Sequence, residues 1–206
     1  MNKNISIPLE KIQEYCNGKK IALVGNSTKL LNENNGKSID SNDIIIRLNY
    51  SIDALPKYKN ALGEKTHIFV PQMNTVSNAV RLCKAANAKY ILQLSRWSKT
   101  GYSDRENKLL ELFNNVYICS KEFYDEFRRK DFKIMFIPST GAATFNFLVT
   151  RINFLELNLY GFDFFENFKQ NEKNVFRSIY HKSHSSIVEK TYFTKYINKA
   201  NNITLM

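Results

Sequence analysis

The stretch Lys20-Ile-Ala-Leu-Val-Gly25-Asn26-Ser27-Thr28 decides the fold. An apolar run between a lysine and a Gly-Asn-Ser turn reads as a strand buried on both faces, as in a parallel sheet covered by helices. Similar runs follow at Ile44–Ile46, Ile68–Val70, Tyr90–Leu94, Val116–Cys119, Ile134–Ile137 and Leu155–Tyr160. They are short, rich in Ile, Val, Phe and Tyr, and bounded by polar or turn residues. Helical periodicity fills the intervals. Thr75–Ala86 places Val76, Ala79, Val80 and Cys83 on one face. Arg105–Asn114, Lys121–Arg129, Thr140–Asn153 and Ser186–Lys199 read the same way. This alternation predicts an α/β fold with a mostly parallel central sheet and helices on both faces. Ligands of such sheets sit beyond the carboxyl ends of the strands, so the polar residues that follow strands are the functional candidates.

Composition sets the outer limits. The chain has 206 residues and no internal repeat, low-complexity tract or linker, which predicts one domain over 1–206. A hydrophobic content of 43% and an aromatic content of 13% exclude a disordered chain. No apolar run approaches the roughly 18 residues of a membrane span. The first twenty residues carry no apolar leader core, so the expected location is cytoplasmic. Cys16, Cys83 and Cys119 are far apart, and none has a Cys or His at ligand spacing. They read as free, buried thiols of a reducing compartment, with no disulfide framework and no zinc site. The formal charge of +11 predicts an anionic partner: nucleic acid, a membrane surface or an acidic small substrate. A nucleic-acid-binding module is the remote alternative. Arg128-Arg129-Lys130 is a short basic cluster, but no RNP-type or helix-turn-helix signature accompanies it.

Three strand ends carry the chemistry. After the first strand, Gly25 lets backbone approach a ligand, and Asn26 and Ser27 offer donors and acceptors. No GxGxxG or P-loop is present. Ile39-Asp40-Ser41-Asn42-Asp43 turns into a second strand that ends in Arg47-Leu48-Asn49. Arg and Asn are expensive to bury unpaired, so this strand end predicts a polar site. Pro138-Ser139-Thr140-Gly141 opens a helix with hydroxyls and small residues, and a helix start of this kind can hold an anion. Leu155–Tyr160 then ends in Gly161-Phe162-Asp163.

Together these segments resemble glycosyltransferase family 29, the sialyltransferases. Gly25-Asn26-Ser27, through Asp40 and Asp43 to Arg47-Leu48-Asn49, resembles the large sialylmotif, with Gly63-x-Lys65-Thr66 as its continuation. Pro138–Gly141 through Tyr160-Gly161-Phe162 resembles the small sialylmotif, and His184 to Glu189 has the spacing of the very small motif. The likeness covers residues 20 to about 190. Gly161-x-Asp163 is also similar to the bacterial glycosyltransferase family 42.

The resemblance implies a variant Rossmann-like GT-A fold and inverting transfer of sialic acid from CMP-sialic acid to an acceptor hydroxyl, without a metal or other cofactor. The chain has no Asp-x-Asp, and Asp40 and Asp43 read as turn residues. By motif position Gly25, Asn26, Ser27 and Asn49 meet the nucleotide and phosphate. Ser139, Thr140 and Gly141 hold the donor, and Gly161, Phe162 and Asp163 line the cytidine pocket. His184 is the implied general base, since a neutral imidazole suits proton removal from an alcohol near pH 7. Tyr180, His181 and Ser183 are candidate donors to the leaving phosphate. Ser186-Ile-Val-Glu189 reads as a capping box, which makes Glu189 a supporting residue. The chain departs from the family in three ways. Tyr180-His181 stands only three residues before His184, the paired motif cysteines are missing, and Phe164-Phe165 stands where family 42 has tyrosines.

CMP-Kdo or another CMP-activated acidic sugar is an alternative donor, and a CMP-binding protein without catalysis is an alternative outcome. The implied partner is a glycan acceptor, lipid-linked in a bacterial lipooligosaccharide pathway, with peripheral contact to the anionic inner face of the cell membrane. The acceptor stretch is expected at Ser95–Glu106, which holds Arg96, Trp97, Tyr102 and Arg105.

Overall fold

The computed structural model describes residues 5–71, 75–94, 102–132, 136–164 and 184–206. The elements run α1 (Leu9–Cys16), β1 (Lys20–Val24), a 3-10 turn (Thr28–Asn32), α2 (Gly36–Asp40), β2 (Ile44–Leu48), α3 (Ser51–Ala54), α4 (Lys59–Leu62) and β3 (Ile68–Val70). There follow α5 (Val76–Ala86), β4 (Tyr90–Gln93), α6 (Asp104–Leu112), β5 (Val116–Ile118), α7 (Lys121–Asp131), α8 (Thr140–Arg151), β6 (Glu156–Tyr160), α9 (Ser186–Ile197) and β7 (Ile203–Leu205). The seven strands form one sheet in the order β5-β4-β3-β2-β1-β6-β7, and every neighbouring pair is parallel.

Alternation of side chains along each strand divides the core. Ile21 and Leu23 of β1, with Ile44, Ile46 and Leu48 of β2, face a layer built by α1, α7, α8 and α9. Ala22, Val24 and Ile45 face the opposite layer, under the 3-10 turn, α2, α3 and α4. Phe69, Ile91, Val116 and Ile118 continue that second layer against α5 and α6. Strands apolar on both faces are stable only when both are covered.

Local chemistry sets the helix starts. Thr75, Ser103, Ser120, Ser139 and Ser185 each accept a backbone N–H of the first turn, and Ser103 forms a full capping box with Glu106. The basic cluster Arg128-Arg129-Lys130 occupies the last turn of α7, where cations complement the helix dipole. Lys130 pairs there with Glu126, and Arg129 Nε donates to the Asp125 carbonyl.

The sequence expectations need three adjustments. The run Ile134–Ile137 lies partly outside the described residues, and its described members, Phe136 and Ile137, join no ladder. Phe136 N–H instead donates to the Phe132 carbonyl, continuing the turn after α7. α1, the 3-10 turn, α2, α3, α4 and β7 have no counterpart among the expected elements. β7 is only three residues long, too short to show a period, and α1 covers the sheet with Ile12 and Cys16.

Candidate active site

The strand order reverses at β1. The chain moves outward from β1 to β5, then returns to place β6 on the other side of β1. Such a switch point opens a crevice beyond the carboxyl ends of the two central strands. Gly25 follows β1 and Gly161 follows β6. A Cβ on Gly25 would lie 2.4 Å from the Gly161 carbonyl oxygen, so only glycine permits this approach. Gly161 itself sits at φ +68°, in the left-handed region. Ser27 N–H donates to the Gly161 carbonyl at 3.1 Å, and Ser27 Oγ donates to Asp163 Oδ2 at 2.8 Å. The first and last strand-end motifs are therefore one structure. Within it, Asn26 Oδ1 is buried with no hydrogen-bond partner among the described residues. A buried acceptor in that state is destabilising until a donor reaches it.

The start of α8 closes the crevice from the side. Asn49, just past β2, donates from Nδ2 to Thr140 Oγ1 at 3.2 Å. Asn49 has φ +49°, a left-handed conformation that asparagine tolerates better than most non-glycine residues. Gly141 abuts the Phe162 ring, and a Cβ there would meet Phe162 Cε1 at 2.8 Å. Phe162 in turn leans on Phe193 of α9, ring centroids 5.3 Å apart. The positive end of the twelve-residue α8 thus lies between Asn49 and Phe162.

His184 and Glu189 attach to this same helix start. His184 Nδ1 lies 2.6 Å from the Ile137 carbonyl oxygen. A carbonyl only accepts, so Nδ1 carries a proton in this contact. Glu189 accepts from Ser139 N–H through Oε1 and from Ser139 Oγ through Oε2, each at 2.8 Å. Ser139 Oγ also accepts the Ala142 N–H at 3.1 Å, capping α8. Glu189 is 3% exposed, and burial pushes its carboxyl up to about 7 against the opposing pull of the two Ser139 hydrogen bonds. This corrects the expected capping box. Ser185, not Ser186, caps α9 by accepting Val188 N–H, and Glu189 turns away from its own helix start to brace that of α8.

Of the residues singled out from the sequence, Gly25, Asn26, Ser27, Asn49, Ser139, Thr140, Gly141, Gly161, Phe162, Asp163, His184 and Glu189 converge on these linked segments. Tyr180 and His181 lie outside the described residues, as do Ser183, Phe165, Arg96 and Trp97. Tyr102 is exposed and Arg105 half-buried, just before and within α6. Arg47 departs from expectation. It is fully buried, and its side chain leaves the crevice for the opposite layer, where Nε donates to the Lys65 carbonyl at 2.9 Å and Nη2 to the Leu62 carbonyl at 2.6 Å. Asp40 also serves the scaffold: its carboxylate accepts the N–H groups of Glu64 and Lys65. Ser51 escaped the sequence reading. It is fully buried and donates to the Leu48 carbonyl at 2.8 Å, a turn signal present in Asn49-x-Ser51. Cys16, Cys83 and Cys119 are buried free thiols. Among the described residues, no three His, Cys, Asp or Glu side chains gather as a metal-binding group.

Comparison with known proteins fits this arrangement. The family model of glycosyltransferase family 29 (sialyltransferase) matches residues 8–195. No curated protein matches the sequence. Among solved structures, a mammalian sialyltransferase superimposes with a TM-score of 0.62 at 16% identity, covering 98% of this chain and 73% of that one. A mammalian sialyltransferase in complex with Gal-beta-1-3GalNAc-ortho-nitrophenol gives a TM-score of 0.59 at 17% identity, covering 98% and 74%. The sialyltransferase CstII from Campylobacter jejuni, in complex with the substrate analogue CMP-3FNeuAc, gives 0.56 at 16% identity, covering 91% and 78%. At these identities the superpositions establish the fold, a GT-A-like Rossmann variant, and the family match establishes descent. The chain belongs to glycosyltransferase family 29, the sialyltransferases, and is a glycosyltransferase that draws on a CMP-sugar donor.

Proposed function

We propose that the protein transfers sialic acid from CMP-sialic acid to a hydroxyl of a glycan acceptor, with inversion, through a single catalytic domain over residues 1–206. The observation that carries this reading is the tether of His184 Nδ1 to the Ile137 carbonyl. With Nδ1 donating there, Nε2 is the ring nitrogen that would take the proton, and the contact holds the ring beside the helix start that would receive the donor. The attacking hydroxyl forms the new glycosidic bond to the anomeric carbon and gives its proton to Nε2, while the bond from that carbon to the CMP phosphate oxygen breaks. Negative charge grows on the departing phosphate. The positive end of α8, with the hydroxyl of Thr140 and the amide of Asn49, supplies donors aimed at that charge, while Ser139, whose hydroxyl proton goes to Glu189, holds that helix start in place.

In this reading Gly25, Asn26 and Ser27 hold the nucleotide, and Gly161, Phe162 and Asp163 line the cytidine side. A donor group on the nucleotide would satisfy the buried Asn26 Oδ1. Glu189 is a positioning residue, since it touches Ser139 rather than the reacting atoms. Tyr180 and His181 remain the proposed further donors to the leaving phosphate. CMP is a stable leaving group once its charge is met by these donors, so the reaction needs no metal. The +11 charge suits an acidic donor and an acceptor on an anionic membrane surface. No helix among the described residues is long and apolar enough to cross a membrane. A peripheral site on the inner face of the cell membrane is part of the proposal.

Thermal unfolding with CMP, CMP-sialic acid, CMP-Kdo, a UDP-sugar and NAD tests the donor class, because a ligand selective for the folded state raises the midpoint. The expected result is a rise with CMP and a larger rise with CMP-sialic acid, and none with NAD. A rise with CMP-Kdo alone would move the donor to that sugar. No rise with any cytidine nucleotide would remove the reading.

A further inference from the structure

We infer that Arg47 and Ser51 are positioning residues that clamp Asn49 from either side and so set its amide for the donor. Asn49 holds its left-handed φ of +49° without the freedom of a glycine. Asparagine tolerates this region better than most residues, yet the conformation still carries a cost that its surroundings must offset. Two anchors do so. Ahead of it, Arg47 is sunk beneath the sheet, with its guanidinium tied to the carbonyls of Leu62 and Lys65. Behind it, Ser51 is buried at the start of α3, with its hydroxyl tied back to the carbonyl of Leu48. Residues 47 and 48 are thus pinned by side chains, and the turn they enter has one way to proceed.

The anchors are themselves anchored. Asp40 accepts the N–H groups of Glu64 and Lys65, which fixes the loop whose carbonyls receive Arg47. Asp40 also partly offsets the burial of the Arg47 charge. On the crevice side, Asn49 N–H donates to the Val70 carbonyl at 3.1 Å and its amide reaches Thr140. Arg47 points away from the crevice, and the Ser51 hydroxyl is spent on the Leu48 carbonyl. Their effect on the donor would pass through Asn49 along the backbone of residues 47–51, which both side chains anchor.

This inference rests on the reading of Asn49 as a donor contact. The test is a double-mutant cycle on CMP affinity, measured calorimetrically with the full chain, using Asn49→Ala, Ser51→Ala, Arg47→Met and the two doubles. Ser51→Ala removes one hydroxyl and keeps the variant set informative if Arg47→Met fails to fold. Expected are about fivefold weaker CMP binding for Ser51→Ala and a similar or larger loss for Arg47→Met, each vanishing when Asn49 is already alanine. A Ser51→Cys variant, with a poorer hydrogen-bonding group, should fall between. Unchanged affinity in Ser51→Ala, or a loss that persists undiminished in the Asn49→Ala background, would overturn the inference. A wild-type protein that fails to bind CMP would instead overturn the reading of the site.

Discussion

Glu189 and Ser139, fifty residues apart, share two hydrogen bonds of 2.8 Å, from the serine N–H and hydroxyl to the two carboxylate oxygens. The contact joins the helix that follows His184 to the helix that would receive the donor phosphate. It makes the first turn of α9 and the first turn of α8 one unit, with His184 held on the same loop by Ile137.

Removing the Glu189 carboxyl should therefore loosen the site as well as the fold. Glu189→Ala removes the acceptor of the half-buried Ser139 N–H, and the expected loss of stability is about 1–3 kcal/mol by urea unfolding. Glu189→Gln keeps an oxygen for the N–H and an amide that can donate to the hydroxyl, so its loss should be smaller.

The same carboxyl gives the stability a pH dependence. Its folded value, raised to about 7, stands above the ordinary carboxylate range of the unfolded chain. Between roughly pH 4.5 and 7 the folded state holds a proton that the unfolded state has released, so stability contributed by this group falls as pH rises through that window and stays low above it. Glu189→Gln should flatten that part of the curve. An unchanged slope from pH 5 to 8 in the variant would assign the dependence to other groups.

His184→Ala should bind CMP as the wild type does and lose transfer by about 100-fold or more, the usual contribution of a positioned base. Equilibrium binding beside steady-state kinetics separates the two. Turnover near the wild-type value would take the base role from His184.

Gly25→Ala and Gly141→Ala should differ in severity. The first drives a methyl into the Gly161 carbonyl, a backbone atom, and the second into the edge of the Phe162 ring, which can tilt. Overpacking of this kind costs about 1–3 kcal/mol. Thermal melts should place Gly25→Ala lower than Gly141→Ala, and both should weaken CMP binding.

The legible and illegible parts of the molecule divide along physical lines. β1 through β6 announce themselves as mostly apolar runs, because a strand covered on both faces buries most of its side chains. The residues after β1 and β6 are each ordinary turn formers, and they are readable as a site only through the order and spacing of the motifs taken together. Arg47 misled: a strand-end arginine suggests a polar site, yet carbonyls of the Leu62–Lys65 loop take its Nε and Nη2, and those partners lie 15 and 18 residues away in sequence. Glu189 misled through its neighbours, since Ser186-x-x-Glu189 mimics a cap while the true partner is on another helix. Local spacing cannot reveal a bond between helices. Nor can it reveal β7, whose three residues carry no period of their own.

The most direct test of the central claim is the stereochemistry of transfer. CMP-sialic acid and a panel of galactosides, followed by NMR with the chelator EDTA present and absent, reports the product and its anomeric configuration together. The account predicts release of CMP matched by a sialoside of configuration opposite to that of the donor, formed at the same rate with and without EDTA and lost in His184→Ala. A product that keeps the donor configuration, or transfer that stops with EDTA, would contradict it.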